Sequence, residues 1–364
     1  MQYVLGLRQL GCDVYWLEGF RTKGRTEQER AALETFRARA EAFGLGGKTI
    51  VYLTDSKSSS ADMPADYLVM SRSEAEAVYR RADLLLNFHY AISPALLACF
   101  RRTALVDIDP GLLQFWISRK PLSVPRHDLY FTIGENIASG GSFDWISIRP
   151  PICLERWPYV FDPNSEAFTT VSIWESSDWI VDRDQMYANT KRAAFLKFAD
   201  LPQRTTQPLE LALFLRTERD LEDQAELEKR GWRIRRSREV AATPELYQQY
   251  IQRSRGEFSC AKASYVQFQN AWISDRTICY LASGKPVVIQ NTGPSSFLPS
   301  GEGMFRFSTL DEAISAFDTI NADYERHCRA ARDIAEANFD SKRVAERILN
   351  SALSRNFVQN RQAG

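Results

Sequence analysis

The chain has 364 residues, 44% of them hydrophobic, 12% aromatic and 25% charged. One core stops growing near ~250–300 residues, so two domains are expected. Lysine plus arginine number 46 and aspartate plus glutamate 46; this balance and apolar content exclude disorder and the broad basic footprint of a nucleic-acid-binding domain. The six cysteines lie far apart without CxxC spacing, and no leader or long uncharged apolar run precedes them. They read as free thiols in a reducing cytoplasm, and nothing marks a transmembrane segment. Three histidines are too few for a histidine-rich metal site, and His327, beside Cys328 on a charged helix, reads as solvated.

In chain order, Val4, Leu5, Leu7 and Leu10 fall at helical spacing and Gly11 stops that helix. Residues 12–17 read as a strand. Thr26 with Glu29 is a capping box opening a long amphipathic helix, and residues 49–53 form the next strand. Ser73 with Glu76 opens another helix, and residues 83–88 are a strand. Ser93 and Pro94 supply a cap and a first-turn proline, and residues 103–106 run as a strand into the turn Asp107-Ile108-Asp109-Pro110-Gly111. Strand and helix alternate, the pattern of a parallel sheet covered on both faces.

Between Ser147 and Phe168 the pattern breaks into prolines and aromatics, which places an interdomain connection there. Residues 169–174 resume as a strand, followed by a helix over 186–198, a strand over 209–215, a charged helix from Asp220 and a strand over 232–234. In the basic run 229–238, Trp232 and Ile234 alternate inward while the arginines face solvent. The run from Trp272 to Gly293 reads as a buried helix, a Gly-Lys-Pro turn, an apolar strand and a glycine turn. Ligands in parallel sheets bind outside the carboxyl ends of the strands, which is where Asn291, Thr292 and Gly293 fall. A capping box at Thr309 and Glu312 opens a further helix, and two more cover 322–339 and 341–354. The domains are set at 1–165 and 166–339, with 340–364 a C-terminal helix segment that packs back on the first domain.

A phosphorylated ligand at these strand ends needs cations and free backbone N–H groups at a helix end or nest. Lys262 and Arg276 supply charge; Thr292, Gly293, Ser295 and Ser296 supply donors, with Gly293 allowing close approach. No Ser-His-Asp arrangement is present, as expected where the leaving group needs electrostatic stabilisation rather than a nucleophile. His89, after a strand end, is a candidate to contact the sugar or take the acceptor proton. Asp109 and Glu135 stand at comparable strand ends on the acceptor side.

The segment Leu281-Ala282-Ser283-Gly284-Lys285-Pro286-Val287-Val288, with Arg255 to Ser259 before it and Leu298 to Gly303 after it, resembles the donor half of bacterial GT-B glycosyltransferases related to the retaining enzymes. The resemblance implies an α/β fold, GT-B, of two Rossmann-like doubly wound domains facing across a cleft. It implies a cytoplasmic enzyme that moves a sugar from a nucleotide-diphosphate donor, a UDP-sugar, to an acceptor the sequence does not identify, with retention, and without metal or cofactor. It adds Glu257, Ser274 and Gly284 to the donor contacts. Where many relatives carry two glutamates this chain has Ala271 and Cys279, so Asp275 is the substitute carboxylate. The family's first strand and glycine-rich turn are also missing, which leaves strand edges open to pairing with a second chain as a homo-oligomer. A catalytically impaired binding or auxiliary subunit and a sugar-nucleotide epimerase are the alternative readings.

Overall fold

The computed structural model describes residues 1–21, 26–54, 63–64, 66–119, 124–137 and 143–354; the end of the C-terminal segment, after Ser354, lies outside them. The first half holds the strands β1 (Trp16–Arg21), β2 (Thr49–Thr54), β3 (Leu85–Asn87), β4 (Thr103–Asp107), β5 (Leu129–Thr132) and β6 (Trp145–Ser147). The second holds β7 (Phe168–Ile173), β8 (Trp179–Asp182), β9 (Gln185–Ala188), β10 (Leu209–Phe214), β11 (Arg233–Arg236), β12 (Gly256–Ser259), β13 (Val287–Gln290) and β14 (Met304–Phe307).

In the second half six parallel strands run in the order β11-β10-β7-β12-β13-β14. Both faces of this sheet are covered. Phe168, Phe195, Phe258, Phe307 and Phe317 pack in one core and Ile278, Tyr280, Val287, Met304 and Ala335 in another. In the first half β3-β4-β5-β6 form one parallel sheet, while β1 pairs only with β2. The first half thus holds two sheet pieces with no ladder between them among the described residues. Side chains join them instead: Leu17, Ile50 and Leu85 share a core with Ala75, Val78, Tyr79 and Leu96.

Residues 148–167 carry the chain from the first sheet to the second. After Phe339 it returns, and the helix Ser341–Leu353 lays Val344, Ile348 and Ala352 on Ala104, Val106 and Phe131 of the first sheet. The two crossings are bonded to each other, Ile152 N–H to the Phe339 carbonyl at 2.7 Å and Ser341 N–H to the Ile152 carbonyl at 2.9 Å.

The capping boxes at Thr26/Glu29 and Thr309/Glu312 form as the sequence indicates, and a third opens a helix at Ser71/Glu74, two residues before the expected pair. The first strand is also displaced, from 12–17 to Trp16–Arg21. Its register is fixed by pairing with Thr49 to Thr54, which outweighs the local apolar pattern. The helix expected over 186–198 begins only at Lys191, capped by Thr190. The stretch before it is the β8–β9 hairpin, whose Arg183 and Asp184 both take positive φ, as a two-residue hairpin turn requires. The helix expected from Trp272 begins at Asp275. His327 is buried, not solvated: it accepts a hydrogen bond from Gly303 N–H at its Nδ1 and its ring lies 5.3 Å from that of Phe305. All six cysteines are free, and no helix is long and apolar enough to cross a membrane among the described residues.

The returning helix crosses the first helix, Gln2–Gln9, at Gly6, where a Cβ would stand 2.2 Å from the Ser341 carbonyl oxygen. Gly6→Ala is therefore expected to lower stability by about 1–3 kcal/mol through overpacking, read as a lower midpoint in urea with unchanged slope.

Candidate functional site

The carboxyl ends of β12 and β13 lie side by side at a narrow crevice whose cavity volume is about 10 Å³. It is lined by Ser259, Cys260 and Ala261 after β12, by Ile289, Gln290 and Thr292 at the end of β13, and by Trp272 to Ser274 with Thr277 at the start of the helix Asp275–Ala282. The positive end of a helix thus points into the crevice. Ser274 caps that helix by accepting from Arg276 N–H, and Asp275 stays exposed in its first turn.

Arg276 faces the sheet. Its Nε donates to Glu257 at 2.8 Å, one terminal nitrogen to the Val171 carbonyl at 2.9 Å and the other to Ser259 Oγ at 2.5 Å. Glu257 is fully buried on β12, and its Oε2 has no partner among the described residues. Burial opposes the charge on Arg276, but the Glu257 carboxylate outweighs it and raises the pKa. Arg276 is therefore committed to the protein, holding the helix start against β7 and β12.

Lys191, which the sequence reading missed, stands beside the crevice and makes no carboxylate ion pair among the described residues, although the charges of Glu257 and Asp109 reach it. Its ammonium donates to the Cys260 carbonyl and lies 5.5 Å from the centroid of the Trp272 ring, both crevice walls. Trp272 stacks on Tyr265 at 3.8 Å and 2°. Burial, with the charge of Arg276 nearby, pulls the Lys191 pKa down to about 7. The signal that could have found it is Thr190 before it, a helix cap that aims the next side chain back along the strand ends. Lys262 pairs with Asp178 at 3.5 Å.

Across the cleft stand the strand ends of the first half. Asp109 Oδ1 accepts from Tyr265 Oη at 2.6 Å, and burial raises its pKa against the pull of that bond and of Lys262. Asn270 Nδ2 donates to the Pro110 carbonyl at 2.9 Å. Glu135 accepts from Ser295 Oγ at 2.6 Å and from Ser296 N and Oγ at 2.7 Å each, and it pairs with Arg149. Burial works against its charge, but those bonds and Arg149 hold its pKa below the usual glutamate value. The buried Asp107 behind Asp109, read from the sequence only as part of the turn, is pushed up to about 6 by burial and orders the turn through Asp109 N–H, Thr132 and Gln114.

Lys262, Ser274, Asp275, Thr292 and Asp109 therefore gather at or beside the crevice. Thr292 donates its hydroxyl to the Trp272 carbonyl, and Gly293 at φ 115 is pressed against Gln269, whose carbonyl oxygen a Cβ would meet at 2.4 Å. Ser295 is engaged by Glu135. Gly284 does not join them: it follows the end of the helix Asp275–Ala282, roughly 13 Å along its axis from Asp275, with a Cβ position 2.3 Å from the Tyr159 ring. His89 is exposed, its ring stacked on Tyr90 at 5.9 Å and its N–H bonded to Asn87 Oδ1. Ala271, at φ 53, and Cys279 are both buried, so neither position offers a polar group to the cleft.

Lys191 also sets a pH dependence. A lysine whose folded pKa is lowered to about 7 leaves the unfolded chain holding more protons between pH ~7 and ~10.4, so its contribution makes stability rise with pH across that window. Lys191→Met is expected to flatten this part of the slope, measured as urea unfolding free energy at pH 7, 8 and 9.

No protein-family model matches the chain, and no curated protein matches it. Solved structures do. HepE of Anabaena, crystallised with UDP-glucose, is 11% identical, with 93% of this chain and 99% of that one covered and a TM-score of 0.56. AviGT4, a glycosyltransferase involved in Avilamycin A biosynthesis, is 15% identical over 95% of this chain and 98% of its own, with a TM-score of 0.51. The sucrose-phosphate synthase of Thermosynechococcus elongatus is 9% identical over 96% and 100%, with a TM-score of 0.50. The likeness extends over nearly the whole length of each chain, and the chain has the GT-B glycosyltransferase fold.

Proposed function

We propose that the chain is a glycosyltransferase that takes a sugar from a nucleotide diphosphate, a UDP-sugar, and transfers it with retention. The observation that carries this reading is the crevice over the start of the helix Asp275–Ala282, walled by Trp272, which stacks on Tyr265, with Lys191 held against the Cys260 carbonyl and the Trp272 ring at its edge. A helix start and an amine with a pKa near 7 in a partly dry site suit a diphosphate, whose departure needs charge stabilisation more than a nucleophile. In this reading Lys191 and Lys262 meet the phosphates, Ser274 and Thr292 border them, and Asp275 holds a sugar hydroxyl. His89 and Asp109 face the acceptor. Glu257 and Arg276 act on the donor only through the helix they fix. The six free thiols suit a reducing compartment.

One observation favours an auxiliary subunit that binds a nucleotide sugar without transferring it: Ala271 and Cys279 are buried and apolar. Calorimetry with UDP and UDP-glucose, followed by assays for transfer and for hydrolysis, separates the two. The enzyme reading expects micromolar binding, weakened about tenfold by Lys191→Met, a charged hydrogen bond being worth about 1.5–3 kcal/mol. UDP affinity should rise as pH falls from 8.5 to 6.5, because Lys191 gains its proton over that range, and Lys191→Met should remove its share of the trend. Asp275→Asn should lower turnover more than UDP affinity. Absence of any nucleoside diphosphate binding would sink the donor site, whereas binding with neither transfer nor hydrolysis would leave the auxiliary subunit standing.

A further inference from the structure

The turn after β13 holds an anion, and that anion belongs to the protein. Ser295 Oγ, Ser296 N and Ser296 Oγ, at 2.6–2.7 Å, all donate to the carboxylate of Glu135. Ser295 Oγ also accepts from Phe297 and Leu298 N–H at 3.3 and 3.1 Å, which fixes the turn in a nest. Both terminal nitrogens of Arg149 stand 3.3 Å from Glu135 Oε2, and its guanidinium lies 4.5 Å over the Phe297 ring. The side chains of Arg149 and Glu135 are only 12% and 10% exposed.

The positive charge at this joint exceeds what one carboxylate balances. Arg306 stands near enough to interact with both Glu135 and Arg149, and burial lowers its pKa. Its hydrogen bond among the described residues is a long one, 3.4 Å to the Gly293 carbonyl. Arg347 adds repulsion on Arg149. Two guanidinium groups, those of Arg149 and Arg306, therefore face a single negative charge with Arg347 adding positive potential behind Arg149, and a dianion with three acceptor oxygens matches them better. Glu135 and its serine donors sit on opposite sides of the cleft, so a rotation that opens the cleft withdraws the carboxylate from the nest.

We propose that the Ser295–Ser296 turn, with Arg149 and Arg306, is an oxyanion-binding site that the chain fills with its own Glu135, and that a phosphate-type dianion takes the site when Glu135 leaves. Anion binding and cleft opening are then linked: each favours the other by the same free energy.

Calorimetric titration of inorganic phosphate into the full chain tests this. Glu135→Ala should bind phosphate at least tenfold more tightly than the unaltered chain. Glu135→Gln, which keeps the packing but not the charge, should fall between them and guards against a folding defect, with circular dichroism as the control. Adding Ser295→Ala and Ser296→Ala, or Arg149→Met, to Glu135→Ala should remove the gain. Equal phosphate affinity in Glu135→Ala and the unaltered chain overturns the proposal, as does a gain that survives loss of both hydroxyls and of Arg149. UDP then identifies the source: competition with phosphate in Glu135→Ala assigns the site to a nucleotide phosphate, and independent binding assigns it to free phosphate. The readout needs no sugar transfer, so this site and the glycosyltransferase reading stand or fall separately.

Discussion

A guanidinium taken out of water must have its charge matched and its donors engaged, and Arg276 imposes that requirement on the centre of the second domain. Its partners are Glu257 on β12, Ser259 at the end of the same strand and the Val171 carbonyl on β7. Breaking such a pair by removing one member leaves an uncompensated buried charge, a loss of about 3–5 kcal/mol. The constraint is geometric as much as energetic. It holds the start of the helix Asp275–Ala282 against two strand ends, which places Ser274 and Thr277 in the crevice wall and leaves Asp275 outside. Arg276 thus works as scaffold, and in the proposed function the task of meeting a ligand passes to Lys191.

Much of this was legible in the sequence because it rests on local rules. The capping boxes at Thr26 and Thr309 open helices where the Ser/Thr-x-x-Glu spacing puts them. The alternation of apolar strands with amphipathic helices gives the parallel sheets, and the run to Gly293 gives the strand end where the crevice lies. Elements went astray where pairing overrides local pattern. β1 starts at Trp16 rather than residue 12 because β2 sets its register. The β8–β9 hairpin turns on Arg183-Asp184, a pair without the Asn-Gly or Asp-Gly signal, and so it hid inside an expected helix.

The candidate site was less legible, since a charge does not announce in sequence who will neutralise it. Arg276 and Lys191 are both cations near strand ends, yet one meets a buried carboxylate and the other a carbonyl and an indole face. The difference depends on Glu257, 19 residues before Arg276, and on Trp272, 81 residues after Lys191. Gly284 was drawn toward the site by the resemblance of the segment around it, but its positive φ serves the far end of the helix, where the Tyr159 ring leaves no room for a Cβ. Glu135 stands at a strand end as expected, though its partners come from the opposite side of the cleft.

The two covalent passages between the halves are bonded to each other at Ile152, Phe339 and Ser341. Two tethers at one point act as a hinge pin. They suppress sliding and separation of the halves and leave a swing about a single axis as the soft motion. Such a swing changes distances in proportion to the radius from the pin, so contacts far from Ile152 travel furthest for a given rotation. A small angular displacement is thereby amplified at the mouth of the cleft while the linker itself remains nearly still.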